Sequence, residues 1–167
     1  LAAVVTSTFE RRGTLVVPAF AVGRAQHLLH LLAELRAKRR IPEIPVFLDS
    51  PMALKATTLY QRHAKLLRVK PRETATLCDG VTLVATAAES AKLVRSRWPS
   101  VIISASGMAT GGRVLHHLRA MAPQPRHHPL RRLALVEVQV VQGLVQVGQI
   151  ALQLLGRGRR RRGRCRR

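Results

Sequence analysis

Short apolar blocks of three to five residues alternate along the chain with longer stretches in which apolar positions recur every three to four residues, and this alternation predicts an α/β fold. Thr14 to Val17, Pro45 to Leu48, Val81 to Ala85 and Val101 to Ile103 read as strands, the first stopped by Pro18. Their apolar character is continuous instead of alternating, which is the pattern of strands covered on both faces. A mostly parallel sheet flanked by helices is therefore expected. Leu1 to about Arg12 reads as the end of a helix closed by Gly13. Gly23 to Arg40 reads as an amphipathic helix with Leu28, Leu31, Leu32 and Leu35 on one face and Arg36, Lys38, Arg39 and Arg40 at its C-terminal end, where cations suit the helix dipole. A third helix runs to about Leu67, capped by Asp49 or Ser50 with Pro51 in its first turn. A polar connection with Pro71 and Gly80 follows, then helices over Ala87 to Arg97 and Gly111 to about Met121, the last with Thr110 as its N-cap.

The small-residue run Ser104-Ala-Ser-Gly-Met-Ala-Thr-Gly-Gly-Arg113 joins the last strand to the last helix. A loop of this kind can hold an anion: glycines admit a ligand close to the backbone, the first helical amides point outward, and the dipole favours negative charge. The competing reading is a β-to-α turn that only packs closely. Helical spacing puts Val114, Leu118 and Met121 on an apolar face, Arg113, His116 and Ala120 opposite, and His117 between them. In a parallel sheet the segments Ala19 to Arg24, Asp49 to Met52 and Ser104 to Gly112 all leave the carboxyl ends of strands, so they are expected to converge on one edge.

Other candidate chemistry is weaker. His27, His30 and Glu34 share a helix face, but a solvated His30–Glu34 pair is the reading preferred to a metal site. Asp49 reads as a cap before it reads as a catalytic acid, and Ser106 lacks the Gly-x-Ser-x-Gly elbow of a serine hydrolase. Arg24 is divided between phosphate contact and structural pairing.

Charge changes the picture more than composition does. Of the formal net charge of +21, residues 1 to 125 hold 18 Lys and Arg against 7 Asp and Glu, net +11, and residues 126 to 167 hold 11 Arg against one Glu, net +10. A body of mixed charge with a basic excess suits a polyanion partner. From Arg126 onward there is no Lys, Asp, Asn, Ser, Thr or aromatic residue, and eight arginines crowd into Arg157 to Arg167. That end reads either as a nucleic-acid anchor or, by its bias, as a frameshifted and disordered tail, the second being preferred. Residues 1–126 and 127–167 are accordingly expected to be separate regions. Five aromatics in all make base stacking a minor mode. Cys78 and Cys165 form neither a disulfide framework nor a zinc knuckle, no apolar run is long enough for a membrane span, and a cytoplasmic protein is expected. Leu1 in place of Met fits a sequence that begins inside a reading frame.

Four blocks in fixed order carry a family resemblance: Val16-Val-Pro-Ala-Phe-Ala-Val-Gly-Arg-Ala-Gln26, Ile44-Pro-Val-Phe-Leu-Asp-Ser-Pro-Met-Ala53, Ser104-Ala-Ser-Gly-Met108 and Gly111-Gly-Arg-Val-Leu-His-His-Leu118. Over residues 1 to about 126 the chain resembles the β-CASP domain of the metallo-β-lactamase-fold RNA nucleases. The resemblance implies a parent protein that hydrolyses RNA with two zinc ions held by a His-x-His-x-Asp-His motif on a metallo-β-lactamase domain. That motif does not occur here, so the chain is expected to hold no metal and no catalytic residue, and to bind RNA without cutting it. The RNA-contacting residues implied are Arg24, Ser50, Ser104, Ser106, Gly107, Met108, Gly111, Gly112, Arg113 and His116. Expected partners are RNA and the metallo-β-lactamase domain of the parent chain, with a homodimer kept open. The alternative is a non-enzymatic basic nucleic-acid-binding module anchored by the arginine tail.

Overall fold

The computed structural model describes residues 1 to 67, 69 to 126, 128 and 129. Its elements follow the order α1 (Ala2–Glu10), β1 (Thr14–Pro18), α2 (Arg24–Ala37), β2 (Val46–Asp49), α3 (Pro51–Arg62), a 3-10 turn (Ala64–Leu66), α4 (Pro71–Ala75), β3 (Val81–Leu83), α5 (Ala87–Arg95), β4 (Ser100–Ser104), α6 (Arg113–Met121) and β5 (His128–Pro129). The strands lie in the order β3-β2-β4-β1-β5, and every adjacent pair is parallel. Of the expected tail, residues 127 to 167, all but 128 and 129 lie outside the described residues.

All five residues of β1 and all five of β4 are buried, as their unbroken apolar runs require. Val16 and Ile102 are register partners on one face, where they pack with Val114 and Met121 of α6 while Phe47 and Leu93 close the edges. Leu15, Val17, Val101 and Ile103 alternate to the opposite face and are equally buried, so helices cover both sides of the sheet. Pro18 is the last residue of β1 instead of the first beyond it; its missing N–H costs nothing where the ladder ends.

The helices depart from the sequence pattern in instructive ways. The buried stripe of α2 is Ala25, Leu28, Leu29 and Leu32, with Leu31 and Leu35 only half-buried, because the face follows the i, i+3, i+4, i+7 spacing set by Ala25. The left-handed residue that closes α1 is Arg12, at φ 53°, with Gly13 donating back to Thr8 O at 2.9 Å; the glycine sits one place beyond the turn expected of it. Ser50 caps α3, its hydroxyl accepting from Ala53 N at 3.1 Å, and Asp49 does not. The polar connection contains a further short helix, α4, opened by Pro71 at its first turn. Thr110 does not cap α6; Gly112 holds that position at φ 74°.

Candidate functional site

Parallel register brings the ends of three strands into one row. Ser104 is the register partner of both Pro18 and Asp49. Ala19 N donates to Ser104 O at 3.0 Å, and Ser104 Oγ donates to the Asp49 carbonyl at 3.2 Å. The segments that follow β1, β2 and β4 therefore leave from a common edge.

Asp49 is the hub beneath that edge. Its carboxylate is fully buried and accepts from Arg113 Nη1 at 2.8 Å, from Ser90 Oγ at 2.6 Å and pairs with His117 Nε2 at 2.7 Å. Burial pushes its pKa up, but the hydrogen bonds from His117, Ser90 and Arg113 and the charge of His117 outweigh burial and hold it below the usual carboxylate range. Local sequence explains how each partner arrives. Thr86 and Glu89 form a reciprocal capping box that starts α5 and sets Ser90 inside its first turn. Arg113 and His117, four residues apart on α6, lie on one face and reach the same carboxylate. Arg113 therefore works on two sides: it shares the carboxylate with His117, which is fully buried, and it lines the outer surface of α6 together with the exposed His116.

Around the hub, the loop from Ala105 to Gly112 is tightly specified. A Cβ on Gly107 would meet the Phe20 ring at 2.7 Å and Phe20 N at 2.8 Å, so only glycine lets the loop close on the segment after β1. A Cβ on Gly112 would meet Ala105 O at 3.0 Å, and that carbonyl accepts from Val114 N at 3.2 Å, satisfying one amide of the first turn of α6. Gly111 faces open space. The amides of Thr110, Gly111, Gly112 and Arg113 donate to nothing among the described residues. Arg113 uses three of the five guanidinium N–H donors, on Asp49 Oδ1, Val84 O and Ala85 O, and its side chain stays 23% exposed.

Residues 25–130 match the Beta-Casp domain family. The chain belongs to that family. Among similar proteins, the transcription termination factor FttA of Methanosarcina mazei is 36% identical over 131 residues, 74% of this chain and 20% of that protein. Ribonuclease TTHA0252 of Thermus thermophilus is 35% identical over 134 residues, 74% of this chain and 30% of its own length. An RNase J-like protein of Methanocaldococcus jannaschii is 29% identical over 118 residues, 70% of this chain and 27% of its own. This Beta-Casp chain is thus homologous to ribonucleases and termination factors, and spans between a fifth and a third of the length of these relatives.

In this Beta-Casp chain the ten implied contact residues divide by accessibility. Ser104 is fully buried and Ser50 nearly so, both hydroxyls are spent inside the protein, and Gly107 is covered by Phe20; none of the three offers a surface to a ligand. Ser106, Met108, Gly111, Gly112, Arg113 and His116 remain accessible, Met108 at 66%. Arg24 lies over the Phe20 ring at 5.8 Å from its centroid, beside the same edge. Asp49, Ser90 and His117 were not among the ten. The available signal was an acid ending a strand at the edge where a later helix opens with Arg and His four residues apart.

Zinc ligands are a separate matter. Among the described residues no three His, Cys, Asp or Glu come together as a set able to hold a metal ion. Glu34 forms an ion pair with Lys38, and the Lys38 hydrogen bond and charge, with a smaller electrostatic contribution from His30, hold its carboxyl below the usual range. The described residues therefore do not fit the two zinc ions. No helix among these residues is long and apolar enough to cross a membrane.

Proposed function

We propose that this Beta-Casp chain holds the RNA backbone for a parent ribonuclease, with the Ser106–Arg113 loop as the phosphate-docking edge. The observation that carries this reading is the row of unengaged amides from Thr110 to Arg113 at the N-terminus of α6, open to solvent at Gly111 and flanked by a partly exposed guanidinium. Backbone amides at a helix N-terminus favour an oxyanion, and they recognise phosphate without regard to base. The Asp49 hub anchors Arg113 at one end, so the guanidinium is held in place before any ligand arrives. The net charge of +11 over residues 1 to 125 supports a polyanionic ligand, and the names of the relatives support RNA.

In this reading the phosphodiester hydrolysis and its two zinc ions belong to a metallo-β-lactamase domain of the parent protein in the cytoplasm, and the chain alone binds without cutting. Gly111 supplies the test, because a side chain there meets no neighbouring atom. Gly111→Asp places a carboxylate where a phosphate is to sit, while Gly111→Ala adds only a methyl group. A unit charge about 4 Å from another costs about 1 kcal/mol in bulk water and about 4 kcal/mol near a protein surface, so roughly a tenfold loss of affinity is the conservative expectation. Fluorescence anisotropy of a labelled single-stranded RNA on the full chain should show that loss for Gly111→Asp and near-parental binding for Gly111→Ala. Equal affinity of all three would overturn the loop as the docking edge and direct attention to the arginine-rich end as a non-enzymatic anchor.

A further inference from the structure

A groove of about 400 Å3 runs between α5 and α6, beginning where the loop ends. Ala87, Ala91 and Arg95 line its α5 wall, Arg113 and His116 its α6 wall, and Ser90 its floor. The spacing explains the shape: Ala87, Ser90, Ala91, Val94 and Arg95 fall on one helical face, and two alanines leave the channel wide. No carboxylate among the described residues lines it. Asp49 lies below with both oxygens engaged, and Glu89, the acid of α5, is turned to the amides of Ala85 and Thr86. Arg95 is exposed and has no partner among the described residues, and Arg113 keeps two N–H donors unspent.

We propose that this groove takes a stretch of single-stranded RNA backbone as it leaves the loop, with Arg95, His116 and the free donors of Arg113 on successive phosphates. Two features favour a nucleic-acid strand over a lone anion: the volume is within the range of about 300–1,000 Å3 that fits a nucleotide-sized ligand, and the groove is continuous with the loop through Arg113. The small apolar walls at Ala87 and Ala91 admit a strand without selecting bases, so contacts are to phosphate and sequence preference is weak. This inference rests on the reading of RNA as the ligand, and extends it to a surface outside the loop.

Arg95→Gln removes one cation from the groove, and Ala91→Glu places a carboxylate in its wall at a position where Glu is a good helix former. Arg72→Gln, on the exposed start of α4, makes the same change in net charge outside the groove. With a labelled single-stranded RNA and the full chain, Arg95→Gln should weaken binding about fivefold and lower the slope of log affinity against log salt by about 0.7, the value for one phosphate contact on a single strand. Ala91→Glu should weaken it about tenfold, and Arg72→Gln less than twofold. Thermal melts by circular dichroism identify any variant that has unfolded, and the other groove variant then decides. Groove variants indistinguishable from Arg72→Gln, alongside a weakened Gly111→Asp, would overturn the groove and leave the loop standing. A full chain with no salt-sensitive affinity for RNA would overturn both.

Discussion

Replacing Asp49 by Asn is the sharpest perturbation of this fold, because it removes one charge without changing shape. The carboxylate is fully buried and engages three partners at 2.6 to 2.8 Å. Hydrogen bonds to a charged group contribute about 1.5–3 kcal/mol each, and breaking a buried pair costs about 3–5 kcal/mol because the remaining partner is left uncompensated. The Arg113 part must be discounted, since its side chain is 23% exposed and can turn toward water. His117 cannot: it is fully buried, and its Nδ1 already lacks a partner among the described residues. Asn can still accept one bond, so the expected loss is about 2–4 kcal/mol. For a folded body of about 130 residues that lowers Tm by roughly 10 °C. Urea unfolding followed by circular dichroism at 222 nm measures it, with the m-value as the check that the same transition is being read. A double-mutant cycle with Arg113→Met separates the arginine from the rest, and Asp49→Asn should cost less in that background. A loss below about 1 kcal/mol at constant m would refute the hub as the clamp that joins α5 and α6 to the sheet edge.

Two further outcomes follow from the same geometry. The Asp49 pKa is lowered in the fold, so its contribution is fully present above the ordinary carboxylate value of about 3.9 and is lost as pH falls through the lower folded value. The stability gap between the parent chain and Asp49→Asn should therefore be constant above about pH 5 and close in stronger acid; a gap that is unchanged at pH 2 contradicts the assignment. Ser50→Ala removes the cap of α3 and should lower stability by about 1 kcal/mol while RNA affinity in the anisotropy assay stays at the parental value, and weakened binding at full stability would return Ser50 to the interface.

The elements were legible in the sequence wherever one local energy dominated. β1 and β4 announced themselves as unbroken apolar runs, and the convergence of Ala19 to Arg24, Asp49 to Met52 and Ser104 to Gly112 followed from parallel strands ending together. α4 was missed because a five-residue helix barely establishes a period. The start of α6 was misplaced by two residues, since the Ala105 carbonyl and a left-handed Gly112 make the cap that Thr110 resembles locally. At Asp49 and Ser50 either side chain suits the cap, and the choice fell to Ser50 because distant partners claim the carboxylate.

The amino-acid sequence by itself determined the α/β class, the parallel strand pattern, the glycine loop and the family, all of which depend on residues near one another along the chain or on ordered short blocks. Only tertiary structure decided that Asp49 binds Ser90, Arg113 and His117, which lie 41, 64 and 68 residues away. The physical reason is that periodicity and capping record interactions over about four residues, whereas the pairing of a buried charge depends on strand register and on which helix faces pack above it. The same register that places Asp49 beside Ser104 turns Arg113 from a free loop cation into an anchored one that lines the groove.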